Sequence, residues 1–264
     1  MISSPRNISY DFSGHTVLVT GGSRGIGHGI AEGFANAGAD VAILAQSVEV
    51  HDVAGALAAK TGGDVRGIQC DITDVDAVRT AMASLERIDV LINNAGLERI
   101  TPILDDDDAV EETFRRIIDI NVIGTFNVTR YAARRMPAGS TIIFTCSIWS
   151  RTAVPEFSAY CSSKHANLGF MRSMAQELAP RGIRVNGVCP GWVRTDASML
   201  SLKNMANRTG RPEQDLLDEI TGAQIMDGLM EPSDMAATYL FLASDASADI
   251  VGQAVMVDRG EVQA

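Results

Sequence analysis

The chain has 264 residues, 46% of them apolar, and a formal net charge of −11. Its length suits one large α/β domain, and its apolar content is far from that of a disordered chain. The acidic balance argues against a nucleic-acid binder or an anionic-membrane binder, both of which need a basic face; small anionic ligands stay open, because backbone amides hold phosphate without side-chain charge.

The predicted elements follow one another as strand then helix. Residues 1–12 read as an N-terminal tail, and Met1 to Thr16 has no apolar core of a signal peptide. Thr16 to Thr20 is a β-branched strand ending in a glycine-rich turn, and Ile26 to Ala37 has the spacing of a helix stopped by Gly38. Val41 to Ala45 is a second strand, Val48 to Lys60 a helix, Val65 to Cys70 a third strand, and Asp74 to Leu85 a helix. Val90 to Asn93, Thr141 to Thr145, Ile183 to Val188 and Val255 to Val257 complete the strands, and Ser158 to Leu178 is a long helix. Asp105 to Asp108 reads as a solvated helix start. Short, continuously apolar strands separated by helices imply a doubly wound parallel sheet. Residues 192–230 lack strand character and are expected to form a lid or binding segment. No apolar run is long enough for a bilayer. Cys70, Cys146, Cys161 and Cys189 show neither paired nor metal-ligand spacing, so no metal is expected and the compartment is expected to be cytoplasmic.

The turn Thr20-Gly21-Gly22-Ser23-Arg24-Gly25-Ile26-Gly27 joins the first strand to the first helix. Gly21 permits a tight turn, Gly25 a close approach to pyrophosphate, and Gly27 close helix–sheet packing, with the helix N-terminus facing the phosphates. Its GxxxGxG spacing differs from the general GxGxxG fingerprint. Other small or polar groups follow the strands: Asp71-Ile72, Asn93-Asn94-Ala95-Gly96, Ser147 and Pro190-Gly191-Trp192. Taken alone, Asp71 serves equally as a helix-start residue, and Asn93 and Asn94 as turn formers.

Tyr160 and Lys164 lie four apart on one helical face. A nearby ammonium favours a phenolate, and a phenol so tuned exchanges a proton with a carbonyl or hydroxyl oxygen. Ser147, at the end of the fifth strand, is placed to orient that oxygen, or is simply a turn serine. A serine hydrolase is disfavoured, since no GxSxG elbow is present.

From about Gly14 to Gly260, these motifs in this order resemble the short-chain dehydrogenase/reductase family: the glycine turn, Asp71, Asn93-Asn94-Ala95-Gly96, Asn121, Ser147, Tyr160-Cys161-Ser162-Ser163-Lys164 and Pro190-Gly191-Trp192-Val193-Arg194-Thr195. The resemblance implies a single NAD(P)-binding Rossmann domain over 1–264. Tyr160 would be the acid/base, and Ser147 would hold the substrate oxygen. Lys164 would lower the Tyr160 pKa and hold the nicotinamide ribose. Asn121 would hold a water of a proton relay. Asp71 would meet the adenine, Asn93 and Gly96 would lie against the cofactor, and Thr195 would touch the carboxamide or phosphates. The turn residues Ser23, Arg24 and Ile26, together with Ile72, Ala95, Pro190, Gly191 and Val193, complete the expected cofactor set. Family members are commonly tetramers or dimers packed through the long helices.

Two features depart from the family. Asp258-Arg259-Gly260 replaces its Asp-Gly-Gly, which bears on a turn or subunit contact. The second strand ends at Ala45 with Gln46 next, so the acid that bonds the ribose 2′-OH in NAD enzymes is missing. With Arg24 able to meet a 2′-phosphate, NADP(H) is favoured over NAD(H). Trp149, Phe157 and Trp192 are the expected substrate-facing aromatics, with core packing the alternative for each Trp. Leu97, Met199 and Leu200 are further candidates, and Glu98 and Arg99 would equally suit a polar, sugar-like molecule. The expected reaction interconverts a small-molecule secondary alcohol and a ketone. The competing readings are an inactive nucleotide-binding sensor or scaffold, and an enzyme acting on C=C bonds or an epimerase.

Overall fold

The computed structural model describes residues 9–263; residues 1–8 of the expected tail lie outside that range. Seven strands form one sheet: β1 (Thr16–Thr20), β2 (Asp40–Ala45), β3 (Val65–Gln69), β4 (Val90–Asn93), β5 (Thr141–Thr145), β6 (Arg184–Pro190) and β7 (Ala254–Val257). Their order is β3-β2-β1-β4-β5-β6-β7, with every neighbouring pair parallel. The helices are α1 (Gly25–Asn36), α2 (Val50–Thr61), α3 (Val75–Ala83), α4 (Ala109–Ile118), α5 (Thr125–Ala132), α6 (Ser158–Leu178), α7 (Asp196–Thr209), α8 (Glu213–Gly222) and α9 (Pro232–Ala243).

The strands alternate side chains between two buried faces. Leu18, Leu91, Ile142 and Phe144 point to one core with residues of α3, α5 and α6. Val17, Val19, Ile43, Ile92 and Ile143 point to the other, against Ile30 and Phe34 of α1, Leu57 of α2 and Tyr239 of α9. Burial on both faces is why these strands read as unbroken apolar runs. The strand order reverses between β1 and β4, which opens a crevice at the carboxyl ends there.

Differences from the sequence reading are local. α3 begins one residue late because Asp74 is its N-cap, accepting the backbone N–H groups of Asp76 and Ala77. β6 continues to Pro190 because Cys189 and Pro190 pair with Met256 and Val257. Between β4 and β5 lie α4, a π-helical turn over Asp119–Gly124, and α5, none of which the periodicity marked beyond the acid run. The 192–230 segment contains no strand but carries α7 and α8, which share a small apolar cluster of Leu202, Ala206 and Leu216. Its two ends are pinned together, with the Arg194 N–H donating to the Met230 carbonyl at 2.7 Å.

Candidate active site

The crevice starts at the turn after β1. Gly21 has φ +65°, in the left-handed region that glycine adopts without strain, and its N–H donates to the Leu44 carbonyl at 2.7 Å. The Thr20 hydroxyl accepts the N–H groups of Asn94 and Ala95 at 2.9 and 3.0 Å, and the Asn94 amide donates back to the Thr20 carbonyl at 3.0 Å. The turn is thus stitched to the loop after β4. A Cβ at Gly27 would overlap the Gly21 carbonyl oxygen and lie 2.5 Å from the Asn94 amide nitrogen. No side chain caps the N-terminus of α1, and its first turn holds no acid. Its free N–H groups therefore suit a pyrophosphate. Arg24, at the N-cap, is exposed beside them, and Ser23 is half-buried in the same turn.

Gln46 follows the last residue of β2 and is exposed. Its amide donates to Asp71 Oδ2 at 2.8 Å, and Arg116 Nη2 lies 3.5 Å from the same oxygen. Asp71 Oδ1 accepts the Thr73 N–H and hydroxyl. Burial works to raise the Asp71 carboxyl, but the Thr73 bonds and Arg116 outweigh it and hold the pKa below its ordinary value.

At the centre, α6 brings Tyr160 and Lys164 beside Ser147, the residue that follows Cys146 beyond the end of β5. One small cleft is lined by Ser147, Trp149, Tyr160, Trp192, Ser198 and Glu98, among others. Lys164 is 4% exposed and its Nζ donates to the Thr145 carbonyl at 2.8 Å. Trp149 meets Tyr160 edge-on, with ring centroids 5.8 Å apart, and Trp192 in the same way at 6.3 Å. The Ser147 hydroxyl accepts the Trp149 N–H at 3.2 Å, opening a short 3₁₀ turn. Asn121 is fully buried in the π-helical turn; its amide clamps Leu97 from both sides, accepting the N–H at 2.7 Å and donating to the carbonyl at 3.0 Å, and it donates to Ser163 Oγ at 2.9 Å. Gly96 stands before this group: a Cβ there would lie 3.4 Å from Asn121 Oδ1 and 3.8 Å from Lys164 Nζ.

Residues 21–261 match a family model described as enoyl-(acyl carrier protein) reductase. The chain is 36% identical to oxidoreductase UcpA of Salmonella typhimurium over 94% of each protein. It is 33% identical to D-threitol dehydrogenase of Mycolicibacterium smegmatis over 96% of each. A crystal structure of a short-chain dehydrogenase from Burkholderia cenocepacia in complex with NADP superposes with a TM-score of 0.82 at 31% identity, covering 95% of this chain and 98% of the other. The chain belongs to the short-chain dehydrogenase/reductase family.

As a short-chain dehydrogenase/reductase it is an NAD(P)-dependent oxidoreductase with a Rossmann-type sheet. The fold brings most of the expected site residues of this dehydrogenase/reductase to one crevice. Ile26, Pro190, Gly191, Val193 and Thr195 line the same cleft as Tyr160. Thr195 caps α7 and holds its methyl 3.3 Å from where a Cβ of Gly25 would stand. Ala95 closes on Gly21, whose Cβ would come 2.9 Å from its Cα.

Four expectations need correction. Phe157 does not line the cleft: it is 1% exposed and packs behind Trp149 at 5.1 Å. Asn93 donates to Thr129 Oγ1 at 2.8 Å inside the protein, and Asn94 braces the glycine turn instead. The Ile72 side chain is core, filling the space that a Cβ on Gly124 would need, while its carbonyl accepts the Asn127 amide at 3.1 Å. The Tyr160 phenol is pushed up rather than down: burial dominates, the Glu98 carboxylate adds to it, and a hydrogen bond with Ser147 offsets only part. Burial also lowers the Lys164 ammonium, whose nearest acceptor is the Thr145 carbonyl. Arg116, beside Asp71, is absent from the expected set, while Glu98, weighed with Arg99 as suiting a polar molecule, lines the cleft. Only Glu98 gave a sequence signal, as a charge two residues beyond Gly96.

Proposed function

We propose that this protein interconverts a secondary alcohol and a ketone by hydride transfer, with Tyr160 as proton donor and acceptor. The observation that carries this reading is the convergence of Tyr160 and Ser147 on one aromatic-walled cleft next to the glycine turn, with buried Lys164 anchored to the Thr145 carbonyl beside it. The nicotinamide cofactor, when bound, supplies or accepts the hydride. Its pyrophosphate fits the uncapped start of α1, and its adenosine end fits the Gln46–Asp71–Arg116 group. In the direction of reduction, the Tyr160 hydroxyl gives its proton to the carbonyl oxygen as charge develops there, and Ser147 donates a hydrogen bond to the same oxygen. In the direction of oxidation, Tyr160 takes the hydroxyl proton. Lys164 faces the ring of Tyr160, 5.5 Å from its centroid, so its charge favours the phenolate once the site is filled. Asn121 fixes the loop carrying Gly96 and Leu97.

NADP(H) is favoured over NAD(H), since no acid ends β2, exposed Arg24 is free to meet a 2′-phosphate, and Arg116 offsets the charge of Asp71 beside Gln46. The 192–230 segment acts as the lid over the substrate, its ends pinned as a hinge pair. Exposed Phe114 on α4, Ile123 in the π-helical turn and Phe126 on α5 support a homodimer or homotetramer. The four buried free thiols support a cytoplasmic setting. Among the described residues, no helix is long and apolar enough to cross a membrane. An alcohol substrate is favoured over a C=C substrate because a relative of similar length is named D-threitol dehydrogenase. The test is a panel of secondary alcohols, polyols and ketones run with both cofactors and read at the nicotinamide absorbance. The reading requires turnover of at least one alcohol–ketone pair, and turnover confined to enones would overturn it.

A further inference from the structure

Glu98 sits two residues beyond Gly96, on the loop from β4, and lines the cleft together with Ser147 and Tyr160. Its position is built rather than incidental. The preceding residue, Leu97, is held at both its N–H and its carbonyl by the fully buried Asn121 amide. The one strong cation next to it in sequence, Arg99, spends an N–H on the Glu98 backbone carbonyl at 2.7 Å. Lys164, the other nearby cation, donates to the Thr145 carbonyl instead. The side-chain hydroxyl nearest the Glu98 carboxyl is that of Ser201, buried on α7. A carboxylate has room for about four hydrogen bonds, so acceptor capacity is left over facing the cleft. Enclosing such a group among Trp149 and Trp192 is costly unless a donor arrives with the ligand.

We propose that Glu98 determines substrate class by accepting a hydrogen bond from a second hydroxyl of a vicinal diol or polyol whose reacting carbon lies at Tyr160 and Ser147. This rests on the secondary-alcohol reading above. The walls of the cleft supply apolar contact to the carbon chain, Ser147 and Tyr160 hold one oxygen, and Glu98 holds the next. A simple monoalcohol leaves the carboxylate without its donor, and sites built around a substrate hydroxyl reject analogues that lack it.

The experiment compares 2,3-butanediol with 2-butanol in the wild type, Glu98→Ala and Glu98→Gln. Steady-state kcat/KM is measured with the oxidised cofactor. Binding is measured separately by Trp149 and Trp192 fluorescence, titrating each alcohol into protein saturated with NADPH, where an alcohol has no hydride acceptor. In the wild type, the diol is expected to be preferred roughly 10- to 100-fold over the monoalcohol in both readouts, the range for a hydrogen bond to a charged group. Glu98→Ala is expected to abolish that preference, read as the diol-to-monoalcohol ratio at one pH in each protein, and Glu98→Gln, which keeps an acceptor oxygen but no charge, to retain a preference of only about 2- to 10-fold. An unchanged diol-to-monoalcohol ratio in Glu98→Ala overturns the inference, as does equal loss for both alcohols, or a stronger preference for 3-amino-2-butanol than for the diol. If neither alcohol is turned over but the fluorescence preference still depends on Glu98, the secondary-alcohol reading fails for this pair and the role of Glu98 stands.

Discussion

Lys164 Nζ lies 5.5 Å from the centroid of the Tyr160 ring while donating its hydrogen bond, at 2.8 Å, to the Thr145 carbonyl. The ammonium is therefore anchored to the end of β5, and its electrostatic help to the phenol acts across the ring rather than through a direct bond. Burial and Glu98 push the phenol the other way. As the site stands, the Tyr160 phenol is held protonated, and Glu98, whose own carboxyl burial also pushes up, is the component that a single substitution makes neutral at every pH.

Glu98→Gln is accordingly expected to lower the Tyr160 pKa. Alcohol oxidation needs the phenolate, so its pH–rate limb should move to lower pH in Glu98→Gln, and the ketone-reduction limb should move the same way. Profiles of kcat in both directions check this. A shift to higher pH, or none, contradicts the electrostatic role assigned to Glu98.

Gly27→Ala places a methyl group on the Gly21 carbonyl and the Asn94 amide. The overlap is with backbone, so it is not relieved by a rotamer change. A loss of about 1–3 kcal/mol in stability is expected, with cofactor Kd weakened at least about tenfold because the α1 start is displaced. Denaturant unfolding and cofactor titration measure the two effects separately.

Gln46→Arg puts a guanidinium just beyond β2, where Asp71 and Arg116 already meet. Kd for NADPH is expected to tighten severalfold relative to NADH, since an exposed charge-assisted bond adds about 1 kcal/mol. No change in the NADPH-to-NADH ratio would mean that this end of the crevice does not hold the 2′ position.

Glu261 carries a different pH dependence. Burial first, then the charge of Asp258, pushes its carboxyl from 4.5 up to about 7, and its Oε2 has no hydrogen-bond partner among the described residues. The fold thus favours the protonated form. Its stabilising contribution is complete below pH 4.5 and is lost as pH rises through 7. Glu261→Gln, which cannot ionise, should lose less Tm than the wild type between those two pH values. Parallel Tm–pH curves for the two proteins would contradict this.

The sheet was legible because strands buried on both faces have no polar alternation to hide them, and Val90–Asn93, Thr141–Thr145 and Ser158–Leu178 fall where the pattern put them. The α4–α5 region was not, for two physical reasons. Among α4 residues only Ile117 is buried, and the π-helical turn at Asp119–Gly124 breaks the 3.6-residue period between the two helices. At the site, motif spacing located the crevice but not the direction of each side chain. Phe157 lies three residues before Tyr160, which would share a face within a helix, yet it is the non-helical residue before α6 and turns into the core. Asn93 still belongs to β4 and points to Thr129, so the next residue, Asn94, reaches the glycine turn.

The central claim is that the Tyr160 hydroxyl exchanges the proton during turnover, and the most direct measurement is the kinetics and cofactor affinity of Tyr160→Phe. The variant keeps the ring against Trp149 and removes only the oxygen. Turnover is expected to fall by about 10²- to 10⁴-fold, with cofactor Kd changed by less than about threefold. Wild-type rates in Tyr160→Phe, with cofactor binding intact, would contradict it.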